Sequence, residues 1–255
     1  MRSYRLLSVF SKRILSGRRV YLILFLLARP AFAVVNVEGT RVIFNSGESV
    51  SSVNLINSGE MPALVQLWFD KGDILAAPES SKTPLIAIPP VFRLQPGELR
   101  DIKLQLVSRD KLPRDRETLY WLNIYQVPPN TLSQGAAKRV ILPLRLRMKV
   151  FIRPASIFRP DETDGQRLQF RFKDNSRKMI IISNPSPWYM ALSTLDVGNE
   201  NTGGMMLAPG ESKEVTLRNV INSAKVQYEV VNDNGSRWKC SGQVNQDTFS
   251  SAICS

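Results

Sequence analysis

The sequence predicts an all-β chain folded as two immunoglobulin-like β-sandwich domains. Short runs rich in Val, Ile, Leu and aromatic residues recur along it, separated by Gly, Pro, Asn, Asp and Ser. No long stretch holds the 3.6-residue period of an amphipathic helix. The count of such runs, seven in about the first 120 residues after the N-terminal segment, is that of one immunoglobulin-like sandwich.

Residues 1–33 read as a secretory signal peptide. Arg2, Arg5, Lys12, Arg13, Arg18 and Arg19 precede an apolar run from Val20 to Ala28, and Ala31-Phe32-Ala33 fits an A-x-A cleavage site, so cleavage is expected after Ala33. The run ends at Arg29 and Pro30 and is too short to span about 30 Å of hydrocarbon.

In the first domain, 34–153, strands are predicted at 36–44, 49–57, 63–70, 91–94, 100–106, 118–127 and 139–152. The loop from Pro128 to Lys138, with Pro-Pro-Asn and Gly135, is short and sets the last strand beside 118–127. In the second domain, 154–255, strands are predicted at 167–173, 178–184, 189–197, 212–217, 224–232 and 236–244, with Asp233-Asn234-Gly235 as a hairpin turn.

Composition narrows the function. The whole chain carries a formal charge of +12, but seven of its 34 basic residues and none of its 22 acidic ones fall in 1–33; the remaining 27 against 22 leave +5, which argues against nucleic acid as the partner. There is no histidine, which excludes the usual zinc sites and every His-dependent triad, and no nucleophile motif replaces them. Cys240 and Cys254, an even pair in an exported chain, are expected to form a disulfide worth about 3 kcal/mol in the chain-entropy description.

The most informative stretch is Arg139 to Pro154, RVILPLRLRMKVFIRP. As a strand it sets Val140, Leu142, Leu144, Leu146 and Met148 on one face and Ile141, Pro143, Arg145, Arg147 and Lys149 on the other. So apolar a strand, carrying a proline, reads as an edge strand suited to pairing with another chain.

A set of collinear motifs carries a resemblance. These are Thr40-Arg41-Val42-Ile43-Phe44, Pro89-Pro90-Val91-Phe92-Arg93-Leu94 with Pro96-Gly97, Leu112-Pro113-Arg114-Asp115-Arg116-Glu117, Tyr120-Trp121-Leu122-Asn123 with Pro128-Pro129, Lys149-Val150-Phe151-Ile152-Arg153-Pro154, Asn184-Pro185-Ser186-Pro187-Trp188-Tyr189 and Met206-Leu207-Ala208-Pro209-Gly210. Over essentially all of 34–255 the chain resembles the periplasmic pilus-assembly chaperones, the PapD-like group. The short loop before Arg139, without a cysteine pair, resembles the short-loop branch of that group, which serves multi-subunit pili.

The resemblance implies two sandwiches set in an L with a cleft between them. It implies that Arg41 and Lys149 anchor the C-terminal carboxylate of a pilus subunit, and that Val140, Leu142 and Leu144 are lent to a subunit lacking its last strand. Leu146 and Met148 are expected in the chain's own core. Glu117, Arg153 and an aspartate of the second domain, assigned to Asp233, would form an interdomain ion network. The implied partners are pilus subunits in 1:1 complexes and an outer-membrane usher, with a self-capping dimer of the free protein as a further possibility and with no enzyme activity, cofactor, ATP, metal or nucleic acid. The competing expectation is a structural or adhesive immunoglobulin-like component of a surface fibre.

Overall fold

The computed structural model describes residues 35–129, 143–246, 248–250 and 252–255. The first sandwich is built from nine described strands: β1 (Val35–Val37), β2 (Arg41–Phe44), β3 (Val50–Asn57), β4 (Ala63–Asp70), β5 (Leu85–Ile88), β6 (Val91–Leu94), β7 (Leu99–Leu106), β8 (Thr118–Val127) and β9 (Leu144–Ile152). One sheet has the order β1-β3-β7-β5, the other β2-β9-β8-β4-β6. Alternate residues of both sheets meet in one core that includes Leu55, Ile102 and Leu104 from the first sheet and Phe44, Leu67, Leu122 and Val150 from the second.

Two features of the first sandwich depart from the sequence expectation. The predicted strand 36–44 is two strands in different sheets: β1 pairs with β3, whereas β2 pairs in parallel with β9. Gly39, at φ +82°, makes the break, a conformation that favours glycine. Strand β5 was not expected, because Pro84 and Pro89 leave only Leu-Ile-Ala-Ile between them; it completes the first sheet against β7. The Ile88–Pro89 peptide is cis.

After a single helical turn, α1 (Glu162–Gly165), capped by Asp161, the second sandwich follows. Its strands are β10 (Gln169–Phe172), β11 (Met179–Ser183), β12 (Met190–Val197), β13 (Glu200–Asn201), β14 (Met205–Leu207), β15 (Ser212–Thr216), β16 (Lys225–Val231), β17 (Arg237–Gln243) and β18 (Ala252–Cys254). The sheets are β10-β11-β15 and β13-β12-β16-β17-β18, with β14 also on β12. The short strands β13, β14 and β18 carry too few residues to show a period and were not expected from the sequence. A second core gathers Phe170, Ile182, Leu195, Tyr228 and Cys240 among others. Cys240 and Cys254 are directly paired across β17 and β18 and form a disulfide. Among the described residues no helix is long and apolar enough to cross a membrane.

Candidate functional site

Strand β2 is short and β9 long, and the difference creates the site. β9 pairs with β8 from Leu144 to Ile152, but β2 covers its other edge only from Lys149 to Ile152. Residues 144–148 therefore have a strand neighbour on one side alone among the described residues, which leaves a row of ladder groups available.

Along the same segment the apolar face of β9 leaves the core. Val150 and Ile152 are buried and Met148 is 4% exposed; Leu146 is half-buried against the core, and Leu144 is 42% exposed. Pro143, exposed, lies just before the first described pair, Leu144 opposite Gln126. Val140 and Leu142 lie outside the described residues.

The free edge ends at two cations. Arg41 begins β2 directly opposite Lys149 of β9. Because Val42 and Phe44 of β2, and Met148 and Val150 of β9, point into the core, Arg41 and Lys149 share the outer face. One Arg41 nitrogen, Nη1, donates to the Val231 carbonyl of the second sandwich at 2.9 Å. Its Nε is buried without a hydrogen-bond partner among the described residues. The Lys149 ammonium lies 5.2 Å from the Trp121 ring centre. Neither side chain makes an ion pair with a described residue. Burial pushes the Arg41 guanidinium below its ordinary value, partly offset by Asp233 and Glu117. Burial, and then the Arg41 charge, push the Lys149 ammonium down. Two desolvated cations with spare donors favour an anion.

Beside them Glu117, Arg153 and Asp233 form one cluster. Glu117 Oε1 accepts from Arg153 Nε at 2.9 Å and Nη2 at 2.7 Å, while Oε2 accepts from the Tyr189 N–H at 2.9 Å. Arg153 also donates to both oxygens of Asp233 at 3.2 Å. Burial opposes the Arg153 charge, but Asp233 and Glu117 outweigh it and hold the guanidinium above its ordinary value. Burial pushes the Glu117 carboxyl up, against the pull of Arg153. The geometry favours the carboxylate, since N–H donors occupy both oxygens and leave no acceptor for a carboxyl proton.

Glu117 and Arg153 belong to the first sandwich and Asp233 to the β16–β17 turn of the second, so the cluster joins the two. Sequence reasoning missed several members. Asn45 accepts from Arg153, Arg159 pairs with Asp233 at 3.4 Å, and Arg109 donates to the Arg153 carbonyl. Asn45 and Arg159 lie in polar loops with no local signal. Cys240 and Cys254 lie in the second core. Among the described residues no cluster of His, Cys, Asp and Glu could hold a metal ion.

Comparison with known proteins adds the following. Residues 34–158 match the family described as pili and flagellar-assembly chaperone, PapD N-terminal domain, and residues 165–241 match the pili assembly chaperone PapD, C-terminal domain. The chain is 34% identical over 216 residues to the chaperone protein FimB/FhaD of Bordetella pertussis, covering 82% of this chain and 87% of that protein. It is 33% identical over 217 residues to the probable fimbrial chaperone YadV of Escherichia coli, covering 80% and 87%. Among solved structures, YadV superposes with a TM-score of 0.69 at 29% identity, over 83% of this chain and all of that one. The complex of Salmonella enterica SafA pilin with the SafB chaperone gives 0.70 at 26%, over 89% and 98%.

Proposed function

The chain belongs to the PapD-like family of pilus-assembly chaperones, a non-enzymatic family, and we propose that it holds pilus subunits by lending them β9 and gripping their C-terminal carboxylate. The observation that carries the reading is the position of Arg41 and Lys149 at the end of the free edge of β9. A strand added beside residues 144–148 in line with β2 would run parallel to β9. Its C-terminus would then arrive at Arg41 and Lys149, where a carboxylate meets two cations in a partly desolvated site.

Leu144, with Val140 and Leu142 on the same face of the sequence, would enter the groove of a subunit that lacks its last strand. At ~1.5–3 kcal/mol per fully buried aliphatic side chain, three contribute roughly 5–9 kcal/mol before ordering costs. That protects a subunit yet leaves it replaceable by another strand. Release then needs no ATP: the N-terminal strand of the next subunit displaces Val140, Leu142 and Leu144. Residues 1–33 would direct the chain to the periplasm and be removed after Ala33, and an outer-membrane usher would receive the complexes. In the free protein the same edge could be capped by a second copy.

Co-purification from periplasm of wild type, Arg41→Ala and Lys149→Ala with subunits from the same locus tests this reading. The expectation is soluble 1:1 complexes with wild type and none with either folded variant. Complexes unaffected by both changes would remove the carboxylate anchor.

A further inference from the structure

If β9 lends its inner face, its end toward Leu144 needs support from elsewhere, since residues 144–148 have one strand neighbour among the described residues and core contact falls away from Met148 through Leu146 to Leu144. The outer face supplies it. Asp70 ends β4 with its side chain 1% exposed and no apolar role. Its Oδ1 accepts from Arg147 Nη2 at 2.6 Å and from the Gly72 N–H at 2.6 Å. Its Oδ2 accepts from Asn123 Nδ2 at 2.6 Å and lies 3.6 Å from Arg145 Nη2. Asn123, fully buried in β8, turns its Oδ1 to β9, where it accepts from Arg145 Nε at 2.9 Å and Arg147 Nε at 3.2 Å.

Two indole rings complete the arrangement. The Arg145 guanidinium lies 4.7 Å from the centre of the Trp68 ring, and Arg147 lies 4.7 Å from that of Trp121, the same ring that Lys149 approaches. Arg145 also donates to the Ile74 carbonyl at 2.6 Å, tying the loop after β4 to the strand. Arg145 and Arg147 are thus held from both β4 and β8, and Lys149 lies against the Trp121 ring of β8, while the inward Leu144 is exposed.

We infer that Asp70, acting with Asn123 through Arg145 and Arg147, is a positioning residue that clamps the outer face of β9 and so keeps its free edge and Lys149 presented to a subunit. The inference rests on the donor-strand reading above. Its physical basis is that charge-assisted hydrogen bonds to a buried carboxylate resist the fraying that an edge segment otherwise undergoes where its core contacts run out, here from Met148 through Leu146 to Leu144.

The test uses the full chain, expressed with its own N-terminal segment and purified from periplasm, as wild type, Asp70→Asn, Arg147→Gln and the double variant. Ile102→Val, in the opposite sheet, is the control for general destabilisation. Hydrogen exchange of the β8-bonded amides within 144–148 is compared with that of β3 and β7 amides, and subunit complex lifetime is measured alongside. Asp70→Asn is expected to speed exchange in 144–148 about tenfold or more while β3 and β7 change little, and to shorten complex lifetime by a similar factor. Arg147→Gln gives a smaller effect in the same place, and the double variant is no worse than Asp70→Asn, because the two act as one unit. Ile102→Val leaves the ratio of the two exchange regions near wild type. An unchanged ratio in both Asp70→Asn and Arg147→Gln overturns the clamp. Faster exchange in 144–148 with unchanged complex lifetime upholds the clamp and overturns the donor-strand reading instead.

Discussion

Arg41 and Lys149 face each other across the parallel pairing of β2 and β9, and neither has an acidic partner among the described residues. Folding thus places two like charges side by side in a half-buried site, where they repel each other and lose hydration. Arg41 is pushed below its ordinary value by burial, against the pull of Asp233 and Glu117, and Lys149 by burial and then by the Arg41 charge. Such an arrangement is a burden on the free protein and an advantage to a complex that supplies an anion.

The first prediction concerns pH. The Lys149 ammonium is depressed in the free protein, whereas a bound carboxylate would raise it, so binding and the charged form support each other. Affinity for a subunit should be flat at neutral pH and fall as pH rises through the depressed Lys149 value. Complex lifetimes measured from neutral into alkaline solution check this. Lys149→Arg should remove the dependence over that range, because arginine stays charged.

The second prediction is that the anchor costs stability. Since the folded-state value of Lys149 lies below its unfolded one, the burden is fully present below the folded value and is relieved as pH rises through it. Lys149→Met should therefore leave the free protein as stable as wild type or stabler, by up to about 1 kcal/mol, while abolishing subunit capture. Denaturant unfolding of the free chain at neutral pH decides it; a clear loss of stability would show that Lys149 is structural.

The third prediction ranks the interdomain cluster by burial. The side chains of Arg153 and Glu117 are 3% and 4% exposed, Asp233 is 16% exposed and Arg159 62%. Arg153→Ala would leave Glu117 charged and buried, with an expected cost of ~3–5 kcal/mol. Asp233→Ala should cost less, because Arg153 keeps Glu117 and Asn45, and Arg159→Ala should fall within about 1 kcal/mol. Chemical denaturation of the three variants tests the order. An Arg159→Ala loss equal to that of Arg153→Ala would overturn it.

Legibility in the sequence varied with the physics. Strands β4, β6 and β8 begin and end where their runs do, because apolar alternation bounded by turn residues is a strong local signal. The division of 36–44 into β1 and β2 was hidden, since one glycine changes the sheet without changing the apolar pattern. Asp70 read only as a strand end. Its burial depends on Arg145 and Arg147, which are remote in sequence, and a local pattern cannot show that an acid and two bases converge. The same holds for Asn45 and Arg159 around Arg153 and Asp233. The stripe through Leu144, Leu146 and Met148 was legible as one face, but alternation alone cannot say where along a strand the core stops.

That boundary gives the fourth prediction. Met148 is 4% exposed and Leu144 42% exposed, although both lie on the same face of β9. Met148→Ala should cost ~2–5 kcal/mol of folding stability through lost contacts and a cavity. Leu144→Ala should change stability by less than about 0.5 kcal/mol, because the side chain already faces solvent in the free protein. Its effect appears in the complex, where losing the buried part of a leucine is worth ~1–2 kcal/mol, roughly tenfold in subunit affinity. Unfolding curves of both variants, set beside subunit dissociation rates, separate the residue that holds this protein together from the one that holds its partner. Were Leu144→Ala to lower stability and leave dissociation unchanged, the exposed end of β9 would be ordinary packing and the lent strand would have to be sought elsewhere.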